Sequence, residues 1–103
     1  MRVTMAQLDP TIGDFAGNLA KIEQTLASSS REAADLVVFP ELFLTGYPPR
    51  DLLERKWFID QAQEAICRVQ AMSQQYPDTG ILVGAPVPTH RPTGKGLYNA
   101  ALL

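Results

Sequence analysis

Leu36-Val37-Val38-Phe39-Pro40-Glu41-Leu42-Phe43-Leu44-Thr45-Gly46-Tyr47-Pro48-Pro49-Arg50-Asp51-Leu52-Leu53 carries an apolar run, a carboxylate and a proline-rich turn in direct succession. It begins with an unbroken apolar run, Leu36-Val37-Val38-Phe39, and such a run suits a strand covered on both faces. Pro40 closes the run, and the next residue is a carboxylate, Glu41. Thr45-Gly46-Tyr47-Pro48-Pro49 then has turn composition, so Glu41 acts beside a rigid loop.

Working outward, strand and helix signals alternate. Upstream, Val3-Thr4-Met5-Ala6-Gln7-Leu8 reads as a first strand stopped by Asp9-Pro10. After a turn at Gly13 and Asp14, the spacing of Phe15, Leu19, Ile22 and Leu26 predicts an amphipathic helix. Asn18 or Asp14 could cap its start, and Ser28-Ser29-Ser30-Arg31 reads as its frayed end or a loop. Downstream, Ile59, Ala62, Ile66, Val69, Met72 and Tyr76 mark a second helix ended by Pro77-Asp78. Ile81-Leu82-Val83-Gly84-Ala85 is a third, buried strand closed by Pro86. A loop then crosses from Pro88 to Gly96, and Leu97-Tyr98-Asn99-Ala100-Ala101-Leu102-Leu103 starts a fourth strand.

The order β-α-β-α-β-β points to the α/β class, with right-handed crossovers setting strands parallel to one another. Ligands in such sheets gather at the carboxyl ends of strands. The apolar run therefore buries itself as scaffold and delivers Glu41 to the edge where chemistry is done. A carboxylate at the mouth of such a strand is expected to be partly desolvated, which moves its pKa upward toward the range useful for a base.

Composition limits the function. At 103 residues and 46% hydrophobic, the chain is one domain at most, and residues 1–103 show no internal boundary, repeat or low-complexity tract. A net charge of −2 with scattered Lys and Arg argues against nucleic acid or an anionic membrane as partner. A single cysteine, Cys67, excludes an internal disulfide framework and suits a reducing compartment. No run approaches the roughly 18 apolar residues of a membrane span, and no signal segment is present, so the cytoplasm is expected. Four strands and two helices make a thin core, and the sequence stops inside an apolar run. The reading therefore expects the first piece of a longer fold.

Phe39-Pro40-Glu41-Leu42 followed by Leu44-Thr45-Gly46-Tyr47-Pro48 resembles the first signature of the carbon–nitrogen hydrolase (nitrilase) superfamily. Tyr47-Pro48-Pro49-Arg50-Asp51-Leu52-Leu53 narrows the resemblance to the branch that serves as the glutaminase part of glutamine-dependent NAD+ synthetases. The opening Arg2-Val3-Thr4-Met5-Ala6-Gln7-Leu8, Gly13-Asp14-Phe15 with Asn18, and Leu97-Tyr98-Asn99-Ala100-Ala101 fit the same family in the same order.

The resemblance implies a four-layer α-β-β-α sandwich, of which this chain supplies the first part. It also implies a Cys-Glu-Lys amidase site that takes glutamine as substrate and releases ammonia. Glu41 would be the general base and Tyr47 would line the glutamine pocket. ATP and Mg2+ would serve the complete synthetase, which amidates a deamido dinucleotide as a homo-oligomer; no cofactor or metal is assigned to this segment. The family's lysine and cysteine do not carry over. Lys21, Lys56 and Lys95 lie outside the motif that bears the lysine, and Cys67 sits in mid-helix in no nucleophile context.

Each residue also has a plainer reading. A lone Glu after a strand ordinarily faces solvent or helps a helix start, and Tyr47 could pack on its prolines. Cys67 reads as a small helix-flank hydrophobe, His90 as an exposed loop residue, Asn99 as a strand residue bonded to neighbouring backbone, and Arg50 and Asp51 as a solvated turn. Two other functions compete. One is another superfamily activity, such as an ω-amidase or a carbamoyl hydrolase; the other is a non-catalytic α/β interaction module.

Overall fold

The computed structural model describes residues 1–88 and 97–103, with backbone only at 97–99 and 101. Its elements are strand β1 (Val3–Met5), helix α1 (Phe15–Arg31), strand β2 (Leu36–Val38), a 3-10 turn (Arg50–Glu54), helix α2 (Lys56–Gln74), and strands β3 (Gly80–Pro88) and β4 (Leu97–Leu102). The readings for His90 and Lys95, and for the side chain of Asn99, fall outside the described residues. Among the described residues no helix is long and apolar enough to cross a membrane.

Helix α1 begins where the Asp14 carboxylate accepts a hydrogen bond from the Gly17 N–H at 3.0 Å, which satisfies one of the helix's orphan donors. Asp14, and not Asn18, is therefore the cap. The helix also runs straight through the three serines expected to fray. The reason is periodicity: Ser29 falls three residues after Leu26 and seven after Ile22, on the same stripe, and is buried. The helix ends in a Schellman motif, with Ala33 at φ +58° and N–H groups of Ala33 and Ala34 bonded to the carbonyls of Ser30 and Ser29.

The sheet has the order β1-β2-β3-β4. Strands β1, β2 and β3 are mutually parallel, with Thr4, Val37 and Ile81 in register, and β4 returns antiparallel to β3. Helices α1 and α2 pack on one face, where Leu19, Ile22, Leu26, Val37, Phe43, Leu44, Ala65, Val69 and Val83 form one core. Phe58, fully buried in α2, stacks tilted against Phe15 with ring centroids 5.1 Å apart and ties the two helices together.

Two strand boundaries differ from the sequence reading. Strand β1 stops at Met5, short of Leu8, because its partner β2 stops at Val38. Strand β3 passes through Pro86, which was expected to close it. Beyond Leu82, β3 pairs only with β4. The Pro86 carbonyl accepts from Gln63 Nε2 at 3.4 Å on the opposite edge, so the missing proline N–H also falls where no strand asks for a donor.

Alternation puts Val3, Met5, Leu36, Val38 and Leu82 on the face away from the helices. Val3 and Met5 are 45% and 71% exposed there. A contiguous apolar sheet face in water favours association. Residues 1–103 expressed alone are expected to elute above their 11.3 kDa mass in size-exclusion chromatography. A monomeric mass with a sharp, cooperative melt would contradict this.

Candidate active site

The chain past β2 is built to turn sharply at one carboxylate. Phe39 still donates to the Leu82 carbonyl at 2.9 Å, and Pro40 and Glu41 then leave the sheet. Leu42 follows at φ +50°, a left-handed conformation that a leucine adopts at a cost of about 1–2 kcal/mol. Strained backbone of this kind persists only where surrounding structure over-determines it.

That over-determination is visible residue by residue. Leu42, Phe43, Leu44, Thr45 and Gly46 are all buried. The Thr45 hydroxyl lies 3.1 Å from the Leu42 carbonyl oxygen and 3.0 Å from that of Gly46, closing the turn on itself. On one side β3 comes so near that a Cβ on Gly84 would lie 2.5 Å from the Leu42 nitrogen and 3.3 Å from Glu41 Cα. On the other side the segment before α1 presses in: a Cβ on Gly46, whose φ is +82°, would lie 2.4 Å from Ile12 Cα. The Gly13 N–H donates to the Thr45 carbonyl at 2.9 Å. Asn18, fully buried on the first turn of α1, accepts from the Thr11 N–H at 2.9 Å. Its amide group donates to the Thr11 carbonyl at 2.9 Å and to the Leu44 carbonyl at 3.1 Å.

Glu41 lines a recess of about 290 Å³ with Phe39, Pro40, Leu82, Val83, Gly84 and Ala100. The recess lies at the carboxyl end of β2, beside β3 and β4, the place anticipated from the strand order. The carboxylate is not sunk into the sheet. Glu41 is exposed, because β2 ends three residues before it and no described layer covers the sheet face away from the helices. A carboxylate so placed can accept a proton from a group brought to the recess, with apolar walls behind it.

Tyr47 follows the buried turn directly. It is 57% exposed and is not among the described residues lining the recess; its peptide bond to Pro48 is cis. Arg50 and Asp51 open the 3-10 turn and face solvent. Cys67 lies in the middle of α2 and is exposed, not packed as a helix-flank hydrophobe. Among the described residues, no group of three or more His, Cys, Asp or Glu is arranged to hold a metal ion. The sequence reading overlooked Gly84 and Thr45 and took Asn18 for a possible cap. The one available signal was a glycine inside an otherwise apolar strand, which marks a close backbone approach.

Residues 2–103 match the carbon–nitrogen hydrolase family. A glutamine-dependent NAD+ synthetase of Thermotoga maritima is 45% identical over 81% of this chain and 14% of that protein's length. The solved glutamine-dependent NAD+ synthetase of Acinetobacter baumannii superposes with a TM-score of 0.76 at 30% identity, over 96% of this chain and 18% of that one. An amidase of the nitrilase superfamily from Nesterenkonia superposes with a TM-score of 0.75 at 26% identity, over 84% of this chain and 32% of its own. The chain thus spans about one-seventh to one-third of the length of these relatives.

Proposed function

The chain belongs to the carbon–nitrogen hydrolase family, and from that premise we propose that it is the N-terminal part of a glutaminase that supplies ammonia to an NAD+ synthetase. The observation that carries this reading is the strained turn that presents Glu41 at the carboxyl end of β2, in a chain similar along its length to proteins of that name.

Glu41 is the general base. It takes the proton of a cysteine thiol contributed from outside residues 1–103, and the sulfur attacks the side-chain carbonyl carbon of glutamine. The C–N bond breaks, the proton passes to the leaving nitrogen as ammonia departs, and a thioester remains. Water, deprotonated in turn by Glu41, attacks the thioester; the C–S bond breaks, and glutamate and the free thiol are released. A thiol with an ordinary pKa of about 8.5 is mostly protonated at neutral pH, so the base raises the fraction able to attack.

Tyr47, exposed on the same loop, lines the glutamine pocket. The ammonia passes to a deamido dinucleotide in an amidation that consumes ATP and requires Mg2+ elsewhere in the synthetase, a cytoplasmic homo-oligomer. Residues 1–103 form a single piece of the glutaminase domain with no internal boundary.

A donor panel tests this reading in a synthetase that carries these residues as its first segment. Ammonia release should be fastest from glutamine, and NAD+ should form from it when ATP is present. Faster turnover of a simple aliphatic amide or an N-carbamoyl compound would place the chain in another branch. Hydrolysis of none of them would favour an interaction module.

Cys67 is an exposed thiol in mid-helix and is not the nucleophile. Cys67→Ala is expected to leave glutamine turnover within a few-fold and stability within about 0.5 kcal/mol, since exposed substitutions seldom cost more. A loss of activity by orders of magnitude would reassign the nucleophile to Cys67.

A further inference from the structure

We infer that Asn18 is a positioning residue for Glu41, acting through the carbonyl of Leu44. The inference rests on the assignment of Glu41 as the base. Glu41 is exposed and opens the turn. Where its carboxylate can reach is set first by the backbone of that turn, which passes at once through a left-handed leucine.

A leucine at φ +50° relaxes toward an ordinary conformation unless the chain is held on both sides. Strand β3 holds one side through the close approach of Gly84 to Leu42. On the α1 side, one side chain spans the gap. Asn18 is fully buried, and its amide has two N–H donors and one carbonyl acceptor. Both donors are used, one on Thr11 and one on Leu44, and the carbonyl accepts from the Thr11 N–H. The side chain therefore locks the segment before α1 to a residue 26 positions away. The same segment supplies Gly13, which donates to Thr45, and Ile12, which backs Gly46. Helix capping does not explain the asparagine, because Asp14 does that work.

Without the amide, the Leu44 carbonyl loses a buried donor and the turn gains freedom three residues from Glu41. Misplacement of a catalytic group by about 1 Å can cost on the order of 10²-fold in rate. The defect has a signature that simple destabilisation lacks. If thiol deprotonation is what fails, raising the pH toward the ordinary thiol pKa of about 8.5 supplies thiolate without the base, and the deficit narrows.

The test uses Asn18→Ala and Asn18→Asp in a synthetase carrying this segment, assayed well below the unfolding midpoint. Asn18→Asp keeps the acceptor for Thr11 and the volume but loses the amide donors, and it serves as the readout if Asn18→Ala does not fold. The expected result is a fall in kcat for glutamine of about tenfold or more, with KM within about threefold. The deficit should shrink between pH 7 and 9, and ammonium-supported NAD+ formation should be unchanged. Wild-type kcat, or a deficit constant across that pH range, overturns the inference even where Glu41→Gln abolishes glutamine turnover. If Glu41→Gln itself leaves turnover intact, the assignment of the base fails and the inference falls with it.

Discussion

Glu41→Gln is expected to lower the rate of glutamine hydrolysis by about 10²–10⁴-fold, or about 3–5.5 kcal/mol of barrier, the usual worth of a positioned general base. The substitution keeps the size of the side chain but removes its charge and its ability to take a proton. Because Glu41 is exposed, the unfolding midpoint should stay within what a surface change produces, about 0.5 kcal/mol. Glu41→Asp keeps the carboxylate but withdraws it by one methylene, and its rate should fall between wild type and Glu41→Gln. A large drop in stability alongside the rate would make Glu41 a structural residue. An unchanged rate would remove it from the chemistry.

The second large effect is expected at a residue with no functional group. Gly84→Ala places a methyl 2.5 Å from the Leu42 nitrogen, and the obstacle is backbone, which cannot rotate away as a side chain can. Either β3 or the Glu41 turn must move. Overpacking of this kind costs about 1–3 kcal/mol, and displacement of the turn should lower glutamine turnover by about tenfold to a hundredfold. Gly80→Ala, in the same strand, is the control. Its Cβ would meet the Leu36 Cδ1 at 3.3 Å, the mobile end of a side chain, and the Asp35 carbonyl oxygen at 3.5 Å, an ordinary contact, so activity should survive. Equal activities in thermal and turnover assays of the two variants would refute the account of the turn.

Much of this was legible in the sequence, for reasons that differ by residue. The place of Glu41 followed from local pattern: an apolar run, a proline that stops it, and the rule that α/β sheets do their work at strand ends. The two helices and the parallel order of β1, β2 and β3 followed from hydrophobic spacing and the handedness of crossovers. The errors share a cause, which is dependence on partners distant in sequence. Asn18 and Asp14 satisfy the same capping preference, and only the position of Leu44 reveals which one is needed elsewhere. Pro86 breaks a strand flanked on both edges, but β2 ends at Val38 and leaves that edge open. The serines at 28–30 look like a frayed end until Ser29 is seen on the buried stripe of α1. The exposure of Glu41 depends on which layer covers the sheet, and no local pattern encodes that.

Glu41 is expected to activate a thiol for attack on glutamine and to have no part in using the ammonia. Nitrogen-donor partition measures this directly, as the ratio of glutamine-supported to ammonium-supported NAD+ formation by Glu41→Gln in a synthetase carrying this segment. The account predicts that the ratio falls by about 10²-fold or more, with the ammonium-supported rate close to wild type. If both rates fall together, or if the ratio is unchanged, Glu41 is not the base of a glutaminase site.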